Sequence, residues 1–84
     1  MSTYFVAAFY LFTPLDELES LQASVRRCCE DNDVRGIVLL APEGINSTIA
    51  GSREGVLAVL DHLRADPRLA DLKWKESHAT SPPF

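Results

Sequence analysis

The stretch YFVAAFYLF, residues 4–12, decides the fold of this 84-residue chain. All nine of its residues are apolar or aromatic, so apolar side chains occupy both alternating positions of an extended strand. A strand with one solvated face would alternate between apolar and polar residues, whereas a strand covered on both faces shows a continuous apolar run. The stretch therefore predicts a first strand that is central in a sheet and buried on both faces.

A helix is predicted directly after this strand. Thr13 is a suitable N-cap, Pro14 suits the first helical position, and Asp16 follows three residues after the cap. Apolar residues then recur at spacings of three and four, which places them on one stripe facing the core: Leu18, Leu21, Val25 and Cys28. The run Asp31-Asn32-Asp33 is expected to end the helix.

The second half of the chain predicts two strands, a helix and a weaker strand. Apolar runs at residues 34–41 and 45–50 are joined by Ala41-Pro42-Glu43-Gly44, whose proline and glycine fit a type I turn. Gly51-Ser52 caps a second helix, which Asp66-Pro67 ends. The core stripe of that helix is Val56, Val59, Leu60 and Leu63. Weak alternation over residues 72–77 predicts an edge strand.

The resulting order, β-α-β-β-α-β, predicts an α+β fold: a ferredoxin-like split β-α-β sandwich. Its antiparallel four-stranded sheet carries both helices on one face. We expect the domain to span residues 1–77, and residues 78–84 to be a linker or the start of a segment that continues in a longer protein. The other sheet face is left open, so one set of strand-one aromatics should meet a partner there: Phe5 and Phe9, or Tyr4 and Tyr10.

Composition limits the possible functions. The chain is 46% hydrophobic and 24% charged, which is typical of one small globular domain. Eight basic and twelve acidic side chains give a net charge of −4, which disfavours strong autonomous binding to nucleic acid. The nine-residue apolar run is far shorter than the roughly 20 residues of a membrane-spanning helix. No secretory signal pattern is present, so we expect no membrane association and a cytoplasmic location.

We expect no catalytic residue, metal or cofactor in this chain. Cys28 and Cys29 are adjacent, which matches neither a C-x-x-C motif nor a loop-closing disulfide, and they are predicted to be reduced structural thiols. His62 and His78 lack clustered ligands. Acylphosphatases share the predicted topology but need an arginine and a glycine-rich loop after the first strand, and the loop at residues 12–15 has neither.

The most distinctive segment is Leu40–Gly51, and it allows two interpretations. In the first, Pro42 and Gly44 shape the turn, Glu43 is solvated, and Asn46 faces water on an alternating strand. In the second, Glu43 and Asn46 project together from the corner as a docking surface.

The same region resembles a known family. The run LLAPEGIN at residues 39–46, followed by TIAGSRE at residues 48–54, resembles the signature of the N-terminal domain of bacterial rhodanese-domain tRNA uridine hydroxylases. Similarity continues through AAFY, FTPL, LRADPR and KES, so it covers almost the whole chain in order. The resemblance implies an oxygen-dependent 5-hydroxylation of the wobble uridine in certain tRNAs. It also implies that the catalytic cysteine lies in a rhodanese domain that follows the ferredoxin-like domain.

The chain departs from the family pattern at two places, and both affect which properties of the family apply to it. Ser47 stands where the family usually has glycine, and the chain stops at Phe84, where the family continues with a basic strand and the rhodanese domain. Cys28 and Cys29 lie on the first helix and do not inherit the catalytic role. If the family's next strand belongs to this sheet, the shorter chain lacks part of its stabilisation or pairs its edge with another copy.

The resemblance therefore implies a non-catalytic domain that positions tRNA or the rhodanese domain, its two expected partners. Contact with tRNA should be weak or indirect, and its candidates are Glu43, Asn46 and Arg53. Arg53 is the better phosphate ligand, because it lies beside exposed amides at a helix start. The alternative is a self-associating structural or small-ligand-binding ferredoxin-like module, which would dimerise through its open sheet face or edge.

Overall fold

The computed structural model describes residues 3–80 and contains four strands and two α-helices. The strands are β1 (Tyr4–Phe12), β2 (Arg35–Ala41), β3 (Gly44–Gly51) and β4 (Trp74–Ala79), and the helices are α1 (Leu18–Asp31) and α2 (Arg53–Arg64). A short 3₁₀ helix, Pro67–Leu69, follows α2. The four strands form one antiparallel sheet in the order β2-β3-β1-β4. The predicted α+β, ferredoxin-like architecture is confirmed.

The core lies between one face of the sheet and the two helices. Phe5, Ala7 and Phe9 point from β1 into this layer and are almost fully buried. The predicted stripe of α2 is confirmed, since Val56, Val59, Leu60 and Leu63 are at most 1% exposed. Burial of each such side chain stabilises the fold by roughly 1.5–3 kcal/mol. The predicted cap of α2 is also present, because Ser52 Oγ accepts a hydrogen bond from the Gly55 amide at 3.0 Å.

The prediction that β1 is buried on both faces is wrong. Buried and more exposed side chains alternate along the strand. Tyr10, on the face opposite Phe9, is 69% exposed. Both helices cover the same face, so the other face of this central strand has no layer against it among residues 3–80. Of the two aromatic sets considered from the sequence, Phe5 and Phe9 face the helices, and Tyr4 and Tyr10 lie on the open face.

The predicted start of α1 is also wrong. The helix begins at Leu18, after Glu17 at φ 50°, and Thr13 does not cap it. The amide of Thr13 donates instead to the Glu43 carbonyl at 3.0 Å, and the Leu15 amide donates to the Pro42 carbonyl at 2.9 Å. These two bonds hold the segment in a non-helical path along the β2–β3 turn.

The fourth strand lies two residues further along the chain than predicted. It begins at Trp74, and His78 and Ala79 pair with Phe5 and Tyr4 of β1. His78 is held in the sheet by an edge-to-face ring contact with Phe5, with centroids 5.6 Å apart. Two residues of the predicted 78–84 tail are therefore strand, and residues 81–84 lie outside the described part. The predicted edge position of β4 is confirmed.

Candidate functional site

The β2–β3 hairpin end is built from two special residues. Ala41 pairs with Gly44, so Pro42 and Glu43 alone form the connection. Proline fixes φ near −65° and restricts the turn. Gly44 has φ 155°, and a Cβ there would lie 2.1 Å from the Leu11 carbonyl oxygen. Only glycine allows β3 to approach β1 this closely at the turn.

The hairpin end is also fastened to the loop between β1 and α1. The carbonyls of Pro42 and Glu43 accept the amides of Leu15 and Thr13, as described above. Leu15 is itself buried in the core. The backbone of the turn is therefore fixed on two sides, while the side chain of Glu43 remains exposed. A fixed turn can present that carboxylate in one direction.

Large apolar side chains are concentrated on the open sheet face. Four of them are strongly exposed: Tyr10 69%, Phe12 80%, Ile37 56% and Leu39 61%. Strand register and alternation place all four on the face away from the helices. Soluble monomers seldom expose apolar patches larger than a few hundred Å², and such patches mark interaction sites. We call these four residues, together with Asn46 between them, the open-face patch.

Asn46 lies in the middle of the open-face patch. It pairs with Tyr10 on one side and with Leu39 on the other, and it is exposed. A depression of about 220 Å³ beside the turn is lined by both Glu43 and Asn46. The structure thus brings these two candidates together at the hairpin end.

Arg53 does not join them. It is exposed at the first residue of α2, beyond the opposite end of β3. Seven residue steps separate Gly44 from Gly51, which corresponds to about 24 Å at 3.4 Å per residue. Ser52 already satisfies one of the amides at this helix start. Any contact made by Arg53 therefore lies in a different region from that of Glu43 and Asn46.

The charges on the open face are unlike those of the whole chain. Among the described strand residues that point to this face, the charged ones are Arg35 and Lys75, and both are basic. Acidic side chains lie on the helices, in the loops, at the turn or on the other sheet face. The net charge of −4 therefore conceals a sheet face with only positive charges at its strand positions.

Sequence reasoning did not identify Phe12, Ile37 and Leu39 as exposed residues of the open sheet face. The signal was available, because the β2 stretch RGIVLLA, like β1, carries apolar residues at both alternating positions. The pattern shows that two faces are apolar, but it does not show that only one of them is covered.

The two cysteines are free, half-buried thiols on α1. Burial raises the pKa of both Cys28 and Cys29 above the usual range, which lowers the thiolate fraction at neutral pH. Neither thiol is thereby activated as a nucleophile. Within residues 3–80, no three His, Cys, Asp or Glu side chains come together to hold a metal ion. No helix of the same residues is long and apolar enough to span a membrane.

Arg68 connects the β1–α1 loop to the segment after α2. Its guanidinium donates to the Asp16 carbonyl and carboxylate at 2.9 and 2.8 Å, and to the Asp66 carboxylate at 2.7 Å. Hydrogen bonds from Arg68 lower the pKa of Asp66. Asp66 and Arg68 of the LRADPR stretch thus have a structural role, because they tie the β1–α1 loop to the segment after α2.

Comparison with known proteins gives consistent results. Residues 4–84 match the family described as the UPF0176 acylphosphatase like domain. The chain is 55% identical over 84 residues to the tRNA uridine(34) hydroxylase of Albidiferax ferrireducens, covering 100% of this chain and 26% of that protein. It is 53% identical over 81 residues to the enzyme of the same name from a Jannaschia strain, covering 96% of the chain and 27% of the relative. The enzyme of that name from Acaryochloris marina is 49% identical over 84 residues, covering 100% and 27%. The chain therefore spans about a quarter of the length of these relatives.

Proposed function

Because the chain belongs to the UPF0176 acylphosphatase-like domain family, we propose that it acts as the non-catalytic N-terminal domain of a tRNA uridine(34) hydroxylase. In this role it positions tRNA, or the catalytic rhodanese domain of the parent protein, for oxygen-dependent 5-hydroxylation of the wobble uridine. In this proposal residues 3–80 supply no catalytic residue and hold no metal or cofactor, and the domain acts in the cytoplasm.

The observation that carries this proposal is the open-face patch. Four large apolar side chains are exposed together on one sheet face, beside a hairpin end whose backbone is fixed by Gly44 and by two hydrogen bonds. A rigid exposed patch of this kind is suited to binding another macromolecule or domain. Asn46 within the patch and Glu43 beside it supply polar contacts.

Arg53 has a separate place in the proposal. Its exposed guanidinium at the start of α2 suits a phosphate of the tRNA backbone, since helix N-termini favour anions. Because Arg53 lies about 24 Å along β3 from the turn, a ligand that contacts both Arg53 and Glu43 must extend along the whole strand.

A chimera tests the proposed function. The corresponding N-terminal segment of the Albidiferax ferrireducens enzyme, 55% identical, is replaced by this chain, and hydroxylation of uridine 34 in tRNA is measured by mass spectrometry of nucleosides. We expect the chimera to hydroxylate tRNA, and the enzyme without this segment to lose activity. An inactive chimera that is folded and monodisperse, or full activity after removal of the segment, would contradict the proposal.

Self-association is the second candidate, and the same exposed patch is the observation in its favour. Within residues 3–80, β2 and β4 are the edge strands, and an edge strand is suited to pairing with a second copy. Sedimentation of the 84-residue chain separates the two readings. A stable dimer that dissociates when Leu39 is replaced by serine would favour the structural module.

A further inference from the structure

We propose that the open sheet face binds unpaired nucleotides of the RNA substrate, with bases stacking on Tyr10 and Phe12 and the amide of Asn46 contacting a base edge. This inference rests on the proposed function and deepens it, because it assigns the contact with tRNA to one face and one class of nucleotide. Proteins that recognise single-stranded RNA often stack splayed bases on aromatic side chains, including those on a four-stranded sheet.

The two aromatic rings are placed for stacking. Tyr10 and Phe12 alternate on the central strand β1, so both stand on the open face, 69% and 80% exposed. Their ring centroids are 5.9 Å apart at an interplanar angle of 67°. Each ring limits the movement of the other, so less side-chain freedom is lost when a base binds. The backbone beneath them is held by pairing with β3.

Asn46 adds a polar group beside the rings. It is opposite Tyr10 in the register, and none of the hydrogen bonds within residues 3–80 uses its side chain. An amide carries both donors and an acceptor, which matches the mixed donor and acceptor edge of a pyrimidine base. A broader depression of about 510 Å³ continues from Asn46 past Thr48 to Lys75, and its charged lining is Asp71, Lys73 and Lys75. A base stacked on Tyr10 would meet the polar side chains of Asn46 and Thr48 on this side.

Charge favours RNA over a second copy of the chain. The charged groups at the open-face strand positions of the described part are Arg35 and Lys75. Phosphates are attracted to these cations and repelled by Glu43 at the turn, so RNA should approach from the Arg35 and Lys75 side. Two copies that met through these strand positions would bring four cations together. With only two cations, the affinity should be weak and should decrease as salt is added.

The test measures RNA binding by the 84-residue chain in low salt. The probe is a fluorescein-labelled anticodon stem-loop with uridine at position 34, and the control is a duplex of equal length without unpaired nucleotides. We expect the stem-loop to bind more tightly than the duplex. Tyr10→Leu should weaken binding about ten-fold, while Tyr10→Trp should keep it. These exposed substitutions should leave the fold intact, which circular dichroism verifies.

The leucine and tryptophan variants distinguish stacking from ordinary apolar packing. Leucine keeps an apolar surface but has no ring, so equal binding by Tyr10→Leu and wild type would overturn the proposal. It is also overturned if no stem-loop binds up to millimolar protein, if duplex and stem-loop bind equally, or if Tyr10→Leu changes only dimerisation. The chimera distinguishes this inference from the proposed function. If the chimera hydroxylates tRNA but the Tyr10 variants show no stacking, only this inference is rejected. If the folded chimera is inactive, the proposed function is rejected.

Discussion

Replacing Gly44 by alanine is expected to destabilise the domain and distort the hairpin end. A Cβ at this position would lie 2.1 Å from the Leu11 carbonyl oxygen and 3.1 Å from the Phe12 Cα. Both contacts are to backbone, so a side-chain rotation cannot relieve them. The φ of 155° adds strain, because residues with a Cβ rarely adopt it.

The magnitude follows from these two costs. A backbone conformation of this kind costs on the order of 1–3 kcal/mol for a residue other than glycine. Moving β3 away from Leu11 also weakens pairing at the end of the sheet, at about 1 kcal/mol for each hydrogen bond lost. We therefore expect a loss of about 2–4 kcal/mol. An 84-residue domain has a total stability of roughly 4–13 kcal/mol, so the loss is a large fraction of it.

Gly51 provides the matched control at the other end of the same strand. A Cβ there would meet the Asp33 carbonyl oxygen at 3.2 Å, and its φ is outside the strained range. Gly51→Ala should therefore cost about 1 kcal/mol, less than Gly44→Ala. Both variants are measured by urea unfolding, followed by the fluorescence of Trp74, the single tryptophan. A Gly44→Ala free energy of unfolding within about 0.5 kcal/mol of wild type would show that the turn tolerates a Cβ at this position.

Three further predictions concern the core, the stability of the domain at acid pH and the reactivity of the thiols. Leu60→Ala should lower the free energy of unfolding by about 2–5 kcal/mol, because Leu60 is fully buried. Leu39→Ala on the open face should change the free energy of unfolding by less than about 0.5 kcal/mol. Equal losses of stability in urea would contradict the assigned burial. The pKa of Asp66 is lowered by hydrogen bonds from Arg68, so its contribution is complete above its unfolded pKa and is lost as pH falls through the lower folded value. Asp66→Asn should therefore cost up to about 1 kcal/mol at pH 7, with a difference from wild type that shrinks below about pH 4; an unchanged difference at pH 2 would argue against the pair. Cys29, whose pKa is raised by burial, should react several-fold more slowly with iodoacetamide at pH 8 than in urea, and equal rates would show that it is not protected.

Much of the fold follows from local sequence signals. The spacing of apolar residues in α2, the Ser52 cap and the stop before Pro67 act within a few residues, so each is visible in sequence. The hairpin was predictable for the same reason, because Pro42 fixes its own φ and Gly44 permits a backbone conformation that other residues avoid. The order of these local elements then predicted the sandwich.

The errors in the predicted fold come from long-range contacts. Thr13 and Pro14 have the residue types of a helix start, but the Thr13 amide is taken by the Glu43 carbonyl, which is 30 residues away. His78 carries no strand signal of its own and is drawn into β4 by pairing with Phe5. The apolar run of β1 could not show that both helices lie on one side of it.

The candidate site was predictable in part. Glu43 and Asn46 could be placed near one another, because Glu43 lies in the hairpin turn and Asn46 follows it by three residues. Separating them from Arg53 needed the length and direction of β3. The bias of the open face towards Arg35 and Lys75 depends on the register of three strand pairs, so it could not be read from a net charge of −4.

The most direct test of the central claim is an NMR titration of the isotope-labelled chain with the uridine-34 anticodon stem-loop. We expect chemical-shift changes in the strand residues of the open face, centred on Tyr10, Phe12 and Asn46 and extending to Lys75. Residues of the helix-covered face, such as Val59, should be unaffected. Changes confined to the two helices, or none at millimolar RNA, would contradict the claim that this sheet face contacts tRNA.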